Sequence, residues 1–190
     1  MSVSRFSRQS VQAGFPKQQN VWDGISQTAS MDALGVVTLT STASSVTFLG
    51  IPATYTHLQI RGFFNQGASN WLSINYNNDP TAGAYQWHYP ATDGSTVASG
   101  WSGSTSANGT VIAYNNNATA FGGFICDILD YSNGNKTKVG RSLSGYDANG
   151  SGELMIISNM WNNPSAVNRI TLTGSGTLAV NSSFALYGIK

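Results

Sequence analysis

The sequence predicts an all-β protein, an antiparallel β-sandwich that is jelly-roll-like and carries an extended N-terminal arm. Three observations predict this fold class. Short runs of β-branched and aromatic residues recur along the chain, several of them alternate between apolar and polar residues, and turns rich in Gly, Asn and Ser separate them. No run outside residues 1–34 has a convincing helical period. An immunoglobulin-like sandwich and an irregular barrel are the alternatives.

We expect about ten or eleven strands, each of which ends at turn residues. The alternation is clearest after Trp71, where Leu72, Ile74 and Tyr76 share one face, as in a half-buried antiparallel strand. The stretch from Asp93 to Gly109 is rich in Ser, Gly and Thr and is expected to be the longest loop. The predicted strands are residues 36–40, 45–49, 54–64, 71–77, 85–89, 111–114, 121–131, 136–146, 154–161, 167–172 and 184–189.

The hairpin expected within residues 120–150 organises the fold prediction. Asn133-Gly134 lies between two strand-like runs, which is the strongest short-range signal for a two-residue turn. Such a turn would pair Phe124 with Leu143 and would also turn Arg141 toward the core. Either the register is wrong by one residue, or Arg141 has a buried carboxylate partner such as Glu153. The core face predicted by this register consists of Phe124, Cys126, Ile128, Val139 and Leu143.

The composition limits the classes of partner. The chain has 190 residues, of which only 9% are charged, against roughly 25% in ordinary domains. Because the net charge is +1, no strong field directs the chain to nucleic acid or to a membrane surface. A surface with little like-charge repulsion favours self-association, so we expect a homo-oligomer. Cys126 is the only cysteine and is expected to be a small buried hydrophobe.

Residues 1–34 differ from the β-domain that we assign to residues 35–190. They hold three of the nine Lys and Arg residues, and no acidic residue precedes Asp23. Aromatic and basic residues spaced along a polar chain can wrap around a partner and become ordered on binding. The alternative is a chain end without a binding role. The arm residues expected to contact a partner are Arg5, Phe6, Arg8, Phe15, Lys17 and Trp22.

Catalysis and cofactor binding find little support in the sequence. No nucleophile elbow, zinc-protease motif or phosphate-binding loop is present, so we do not expect an enzyme or a cofactor. One segment resembles the start of an EF-hand calcium loop, with oxygen-bearing residues at alternate positions. Its twelfth position is Ser158 instead of a bidentate Glu, so a Gly-rich turn is the favoured interpretation. The weak candidate metal ligands are Asp147, Asn149, Ser151 and Glu153.

The tryptophans are a stronger functional signal. Several of them lie among Ser, Asn and Gly residues, and leaving rings of about 150–250 Å² exposed is unusual in a monomer. Contact between subunits is the first interpretation, packing of loops over the sandwich is the second, and sugar binding is the third. The candidate residues for subunit or glycan contact are Trp71, Trp87, Trp101 and Trp161.

Four segments resemble a family of tailed-phage virion proteins that is frequent in marine and cyanobacterial phages. They are residues 48–60 (FLGIPATYTHLQI), 72–79 (LSINYNND), 128–152 (ILDYSNGNKTKVGRSLSGYDANGSG) and 183–190 (SFALYGIK). The resemblance implies a shared β-domain of head decoration, fibre and tail-associated proteins. It further implies a place in the virion, after assembly in the host cytoplasm, with the major capsid protein or other virion proteins as partners.

The sequence and this resemblance together predict a capsid decoration or cement protein. Its β-domain would form trimers or other small oligomers, and its arm would bind the shell. The alternative is a receptor-binding or fibre-tip module that recognises host-surface glycans through the tryptophans and the Asn-rich loops. Neither nucleic acid nor a membrane is expected as a partner.

Overall fold

Twelve antiparallel strands form two packed sheets in the computed structural model, which describes residues 30–67, 71–103 and 109–190. The predicted all-β sandwich is thereby confirmed, and no helix that could span a membrane occurs in these ranges. The strands are β1 (Met31–Thr38), β2 (Ala43–Leu49), β3 (His57–Phe64), β4 (Trp71–Tyr76), β5 (Tyr85–Thr92), β6 (Val97–Gly103), β7 (Thr110–Tyr114), β8 (Gly122–Leu129), β9 (Lys138–Asp147), β10 (Gly152–Trp161), β11 (Arg169–Leu178) and β12 (Ser183–Ile189).

The connectivity is that of a jelly roll with two inserted hairpins. The large sheet has the order β1-β12-β3-β8-β9-β10-β5-β6, and the small sheet has the order β2-β11-β4-β7. Without the β5–β6 and β9–β10 hairpins, the remaining strands form two four-stranded sheets, and the chain crosses from one sheet to the other between most successive strands. The two hairpins extend the large sheet beyond β8, and β7 of the small sheet packs against β9, β10 and β5 of this extension.

The core lies between the two sheets and follows the alternation of the strands. Leu58 and Ile60 of β3 face Leu72 and Ile74 of β4 within one buried cluster, and all four are fully buried. Burial of each such side chain contributes about 1.5–3 kcal/mol. Strand β1 starts at Met31, inside the stretch assigned to the arm, and pairs with β12.

The predicted register of the β8–β9 hairpin is wrong by one residue. Phe124 pairs with Ser144 instead of Leu143, and Leu129 pairs with Val139. A positive φ occurs at Asp130 (48°) and not at Asn133 or Gly134, so the loop is longer than two residues. Its conformation depends on distant partners, because the Asp130 backbone N–H donates to His57 Nδ1 at 3.0 Å. Because of the one-residue shift, Val139, Leu143 and Arg141 face outward, and Arg141 needs no buried partner such as Glu153.

The expected long loop after Asp93 is in part a strand. Asp93 and Gly94 form the turn of a hairpin, and β6 pairs with β5 from Val97 to Gly103. Strand β6 lies at the edge of the sheet, and its sequence, VASGWSG, is rich in Gly, Ser and Ala. Gly100 lies under the ring of Tyr89, where a Cβ would come within 2.7 Å of the ring. The glycine that suggested a loop is therefore required by close packing within the sheet.

Candidate functional site: the outer face of the large sheet

The side of the large sheet that faces away from the small sheet, here called the outer face, carries an exposed apolar ridge. Ile125 of β8 lies directly opposite Leu143 of β9, which lies directly opposite Ile156 of β10. Their exposed fractions are 43%, 50% and 56%. Side chains that lie directly opposite each other in antiparallel strands have Cβ atoms only about 4.5–5.5 Å apart. The three therefore form one continuous surface across three strands.

Further apolar side chains lie on both sides of this ridge. Leu129, Val139 and Met160 form a second cross-strand row, also on β8, β9 and β10. Beyond the other side of the ridge, Leu154 is exposed, and Phe63 is exposed and stacks on Phe121 with ring centroids 5.0 Å apart. Soluble monomers rarely expose contiguous apolar patches beyond a few hundred Å², so this face is a candidate contact surface for another protein.

A polar row separates the two apolar rows. Gln59, Asp127, Arg141 and Ser158 lie opposite one another in turn across β3, β8, β9 and β10. Gln59 Nε2 donates a hydrogen bond of 2.7 Å to Asp127 Oδ1. Among the residues that the structure describes, Arg141 makes no hydrogen bond or salt bridge, although Asp127 lies opposite it. The centre of the outer face thus contains one acid and one base that are not paired with each other.

The sequence contains a signal for this face that the register prediction missed. Strand β8 includes Phe-Ile-Cys-Asp-Ile-Leu and β10 includes Leu-Met-Ile-Ile, so both are apolar on two faces instead of one. Runs of this kind are typical of strands that are covered on both sides. In this chain the inward-facing residues, such as Phe124 and Ile157, are buried, whereas the outward-facing ones remain exposed.

Two of the candidate tryptophans lie together at the edge of the small sheet. The Trp71 ring is 5.2 Å from the Trp87 ring, 5.7 Å from the Tyr89 ring and 4.7 Å from the Tyr114 ring, between centroids. All four rings are half-buried and pack against a cluster that includes Met155. These rings pack on one another and on an apolar cluster to which both sheets contribute, because Val111 lies on β7 and Met155 lies on β10.

Trp101 is separate from that cluster. It lies on the outer face at strand β6, its exposed fraction is 70%, and it stacks on His88 with ring centroids 6.4 Å apart. His88 lies opposite Ser158, so Trp101 continues the polar row to the edge of the sheet. Of the four candidate tryptophans, Trp101 is the most accessible to a partner or a sugar.

The expectation for Trp161 was wrong. Only 1% of this side chain is exposed, and its ring stacks on Tyr76 and Tyr85 in the core. Its Nε1–H donates a hydrogen bond of 2.8 Å to Asp79 Oδ2, which satisfies the polar atom of a buried indole. Trp161 therefore has no surface to offer to a subunit or to a glycan.

The candidate calcium ligands form the turn of the β9–β10 hairpin. Asn149 and Gly150 have φ values of 56° and 104°, and the Ala148 N–H donates to the Ser151 carbonyl at 2.7 Å. Asp147 Oδ1 accepts the Asn149 backbone N–H at 2.9 Å, so this oxygen stabilises the turn. The partial burial of Glu153, together with nearby Asp93, raises the pKa of Glu153. No group of three or more His, Cys, Asp or Glu side chains suited to a metal occurs in the described ranges.

The arm residues Arg5, Phe6, Arg8, Phe15, Lys17 and Trp22 lie outside the described residues.

Comparisons of the chain with family models, with curated proteins and with solved structures find no match. The described part of the chain offers a broad, weakly charged, partly apolar sheet surface on a jelly-roll scaffold. Such a surface is suited to packing against another folded protein, because large exposed apolar patches are typical of protein contact sites.

Proposed function

We propose that the chain is a structural protein of a tailed-phage particle, a capsid decoration or cement protein that acts by packing against neighbouring protein subunits. The observation that carries the proposal is the ridge of Ile125, Leu143 and Ile156 on the outer face. Burial of its remaining exposed area against a neighbour would contribute about 25 cal/mol for each Å² of apolar surface.

Composition and resemblance support the same role. With 9% charged residues and a net charge of +1, the chain has few charges that must be desolvated when a neighbour docks. The four segments that resemble phage virion proteins favour the major capsid protein or other virion proteins as partners. The basic, aromatic arm is the part proposed to bind the shell, while the β-domain forms small oligomers. Assembly in the host cytoplasm and residence in the virion follow from this role.

Reconstitution on particles tests the proposal. Shells that lack the protein are incubated with the full-length chain and sedimented, and the bound chain is located by cryo-electron microscopy. We expect saturable binding at regular positions on the shell. Deletion of residues 1–30, which ends just before strand β1, should abolish binding, whereas Leu49→Ser, a change on the small sheet, should leave it intact. Failure of the intact chain to bind, together with its absence from purified particles by mass spectrometry, would refute the proposal.

A second candidate function, recognition of host-surface glycans, is favoured by Trp101. This ring is the most exposed of the described tryptophans, and aromatic faces stack on the apolar faces of sugars. A groove of about 670 Å³ lined by Phe121, Tyr146 and Glu153 offers further stacking and hydrogen-bonding groups. A glycan array tests this candidate. Glycan recognition requires that the wild-type chain gives hits, that Trp101→Ala loses them and that Trp101→Phe retains them. An array without hits would refute glycan recognition.

A further inference from the structure

We infer that the outer face is a self-complementary interface that pairs two copies of this chain. The two-fold axis would lie in the interface, nearly along the strands and midway between β8 and β9. This inference deepens the proposed structural role and rests on it, because it names the occupant of the outer face as a second copy. The interface itself can be tested in solution without a particle.

The charges at the centre of the face select this axis. Asp127 of β8 and Arg141 of β9 lie directly opposite each other. A rotation about an axis midway between these strands places β8 of one copy over β9 of the other. Asp127 of each copy then faces Arg141 of the other, so the interface gains two complementary charge contacts. Arg141, which makes no polar contact within the described residues, obtains a partner.

The apolar residues agree with the same axis. The rotation places Ile125 of one copy over Leu143 of the other, and Leu129 over Val139, because each pair lies in direct register. On β8 and β9 these apolar side chains therefore meet apolar side chains, whereas β10 of one copy lies over β3 of the other and places Ile156 over Arg61.

Alternative axes bring like charges together. An axis along β9 would place Arg141 over Arg141, and an axis along β8 would place Asp127 over Asp127. Two like charges about 4 Å apart repel by about 4 kcal/mol near a protein surface. Of these three axes, only the one between β8 and β9 pairs unlike charges with each other.

The available area lies in the lower part of the range for a stable dimer. The strands β12, β3, β8, β9, β10 and β5 are adjacent in the sheet and lie symmetrically about the axis, and a spacing of about 4.8 Å gives a width of about 24 Å. Strand β8 has 8 residues, which at about 3.4 Å each span about 27 Å. The flat footprint is thus about 650 Å², against the roughly 600–1,000 Å² that each partner buries in a standard interface. Two such sheets pack about 10 Å apart with their strands offset by about 30°.

Charge reversal gives a test specific for this axis. The Asp127→Arg variant has an arginine at both positions, so two arginines of one copy face and repel two arginines of the other. The Arg141→Asp variant has an aspartate at both positions, and these repel in the same way. Each variant alone should bind its own copy at least tenfold more weakly than the wild type. In an equimolar mixture every Arg faces an Asp, so pairing should return. Sedimentation equilibrium of the full-length chain reports the mass, which for a pair is twice the 20.1 kDa of one chain.

Apolar variants provide the matched control. Leu143→Asp, on the ridge, should give a single-chain mass, whereas Leu49→Asp, an equally drastic change on the small sheet, should leave the pair intact. Thermal melting of each variant verifies that the domain is folded. A wild-type mass of one or three chains would overturn the pairing, and so would a mixture of the two reversal variants that stays unpaired. A single-chain wild type that still binds shells would refute the pairing alone and leave the proposed function standing.

Discussion

The indole Nε1–H of Trp161 donates a hydrogen bond of 2.8 Å to Asp79 Oδ2, which joins the end of β10 to the turn after β4. Asp79 also accepts the Thr81 backbone N–H at 2.9 Å through its other oxygen. Hydrogen bonds from Thr81, Trp161 and Asn163 lower the pKa of Asp79, although burial opposes the shift. The carboxylate form of Asp79 is therefore stabilised in the folded protein.

Stability should depend on the charge of Asp79. The pKa of Asp79 is lower in the folded state than the ordinary value of 3.8, so its ionised form stabilises the fold. This contribution to the free energy of unfolding is fully present above pH 3.8 and is lost as the pH falls through the folded-state pKa. Asp79→Asn should lower the melting temperature at neutral pH and should reduce its fall on acidification. The melting temperature is measured against pH, with Asp147→Asn in the exposed β9–β10 turn as the control. A wild-type and an Asp79→Asn curve that run parallel would contradict this prediction.

A methyl group at position 62 should destabilise the sheet, whereas the same change at position 123 should not. A Cβ at Gly62 would overlap the ring of Phe124, which is buried in the core. A Cβ at Gly123 would have its nearest neighbour, the Gly62 carbonyl oxygen, at 4.0 Å. We expect Gly62→Ala to cost about 1–3 kcal/mol of unfolding free energy. We expect Gly123→Ala to change it by less than about 0.5 kcal/mol. Urea denaturation measures both, and equal effects would show that the two positions are packed alike.

Lys138 should stabilise the loop between β8 and β9. Its side chain is buried, and its Nζ donates hydrogen bonds to the carbonyls of Asn133, Lys136 at 2.6 Å and Pro164 at 2.9 Å. Lys138→Met removes the donor from all three carbonyls, so we expect a loss of about 1.5–3 kcal/mol, the range for a hydrogen bond to a charged group.

The control for Lys138 is Lys136→Met, which removes an exposed ion pair of 2.6 Å with Asp130. Exposed pairs are solvated and contribute little to stability. Denaturant titration should therefore show a smaller effect for Lys136→Met than for Lys138→Met. The reverse order would mean that the loop depends on its surface ion pair instead of the buried ammonium group.

The Cys126 thiol should react only after the protein unfolds. It is fully buried, and burial raises its pKa to about 11. At about pH 8 only about a thousandth of such thiols is ionised, and the thiolate is the reactive form. Labelling with an aromatic disulfide reagent should be slow for the native chain and complete in concentrated guanidinium. Rapid labelling of the native protein would indicate frequent opening of the core near β8.

The hairpin predictions show how far local signals reach. Of the three Asn-Gly dipeptides in the chain, those at Asn133 and Asn149 carry the same turn signal, but only the one at Asn149 forms a two-residue turn with positive φ at both positions. Near Asn133, Asp130 adopts the positive φ, and its N–H bonds to His57, which lies 73 residues away in sequence. Local sequence identifies a turn, but contacts with distant residues determine where the chain reverses.

The amino-acid sequence by itself determined the fold class, the approximate positions of eleven of the twelve strands and the burial of residues such as Ile74 and Cys126. It could do so because alternation and turn propensity are properties of neighbouring residues. Only the tertiary structure decided that Leu143 is exposed, that Trp161 is buried and that residues 97–103 form a strand. These features depend on strand register, because a shift of one residue moves every side chain of a strand to the opposite face of the sheet. They also depend on which face is covered, and the elements that cover a face are remote in sequence.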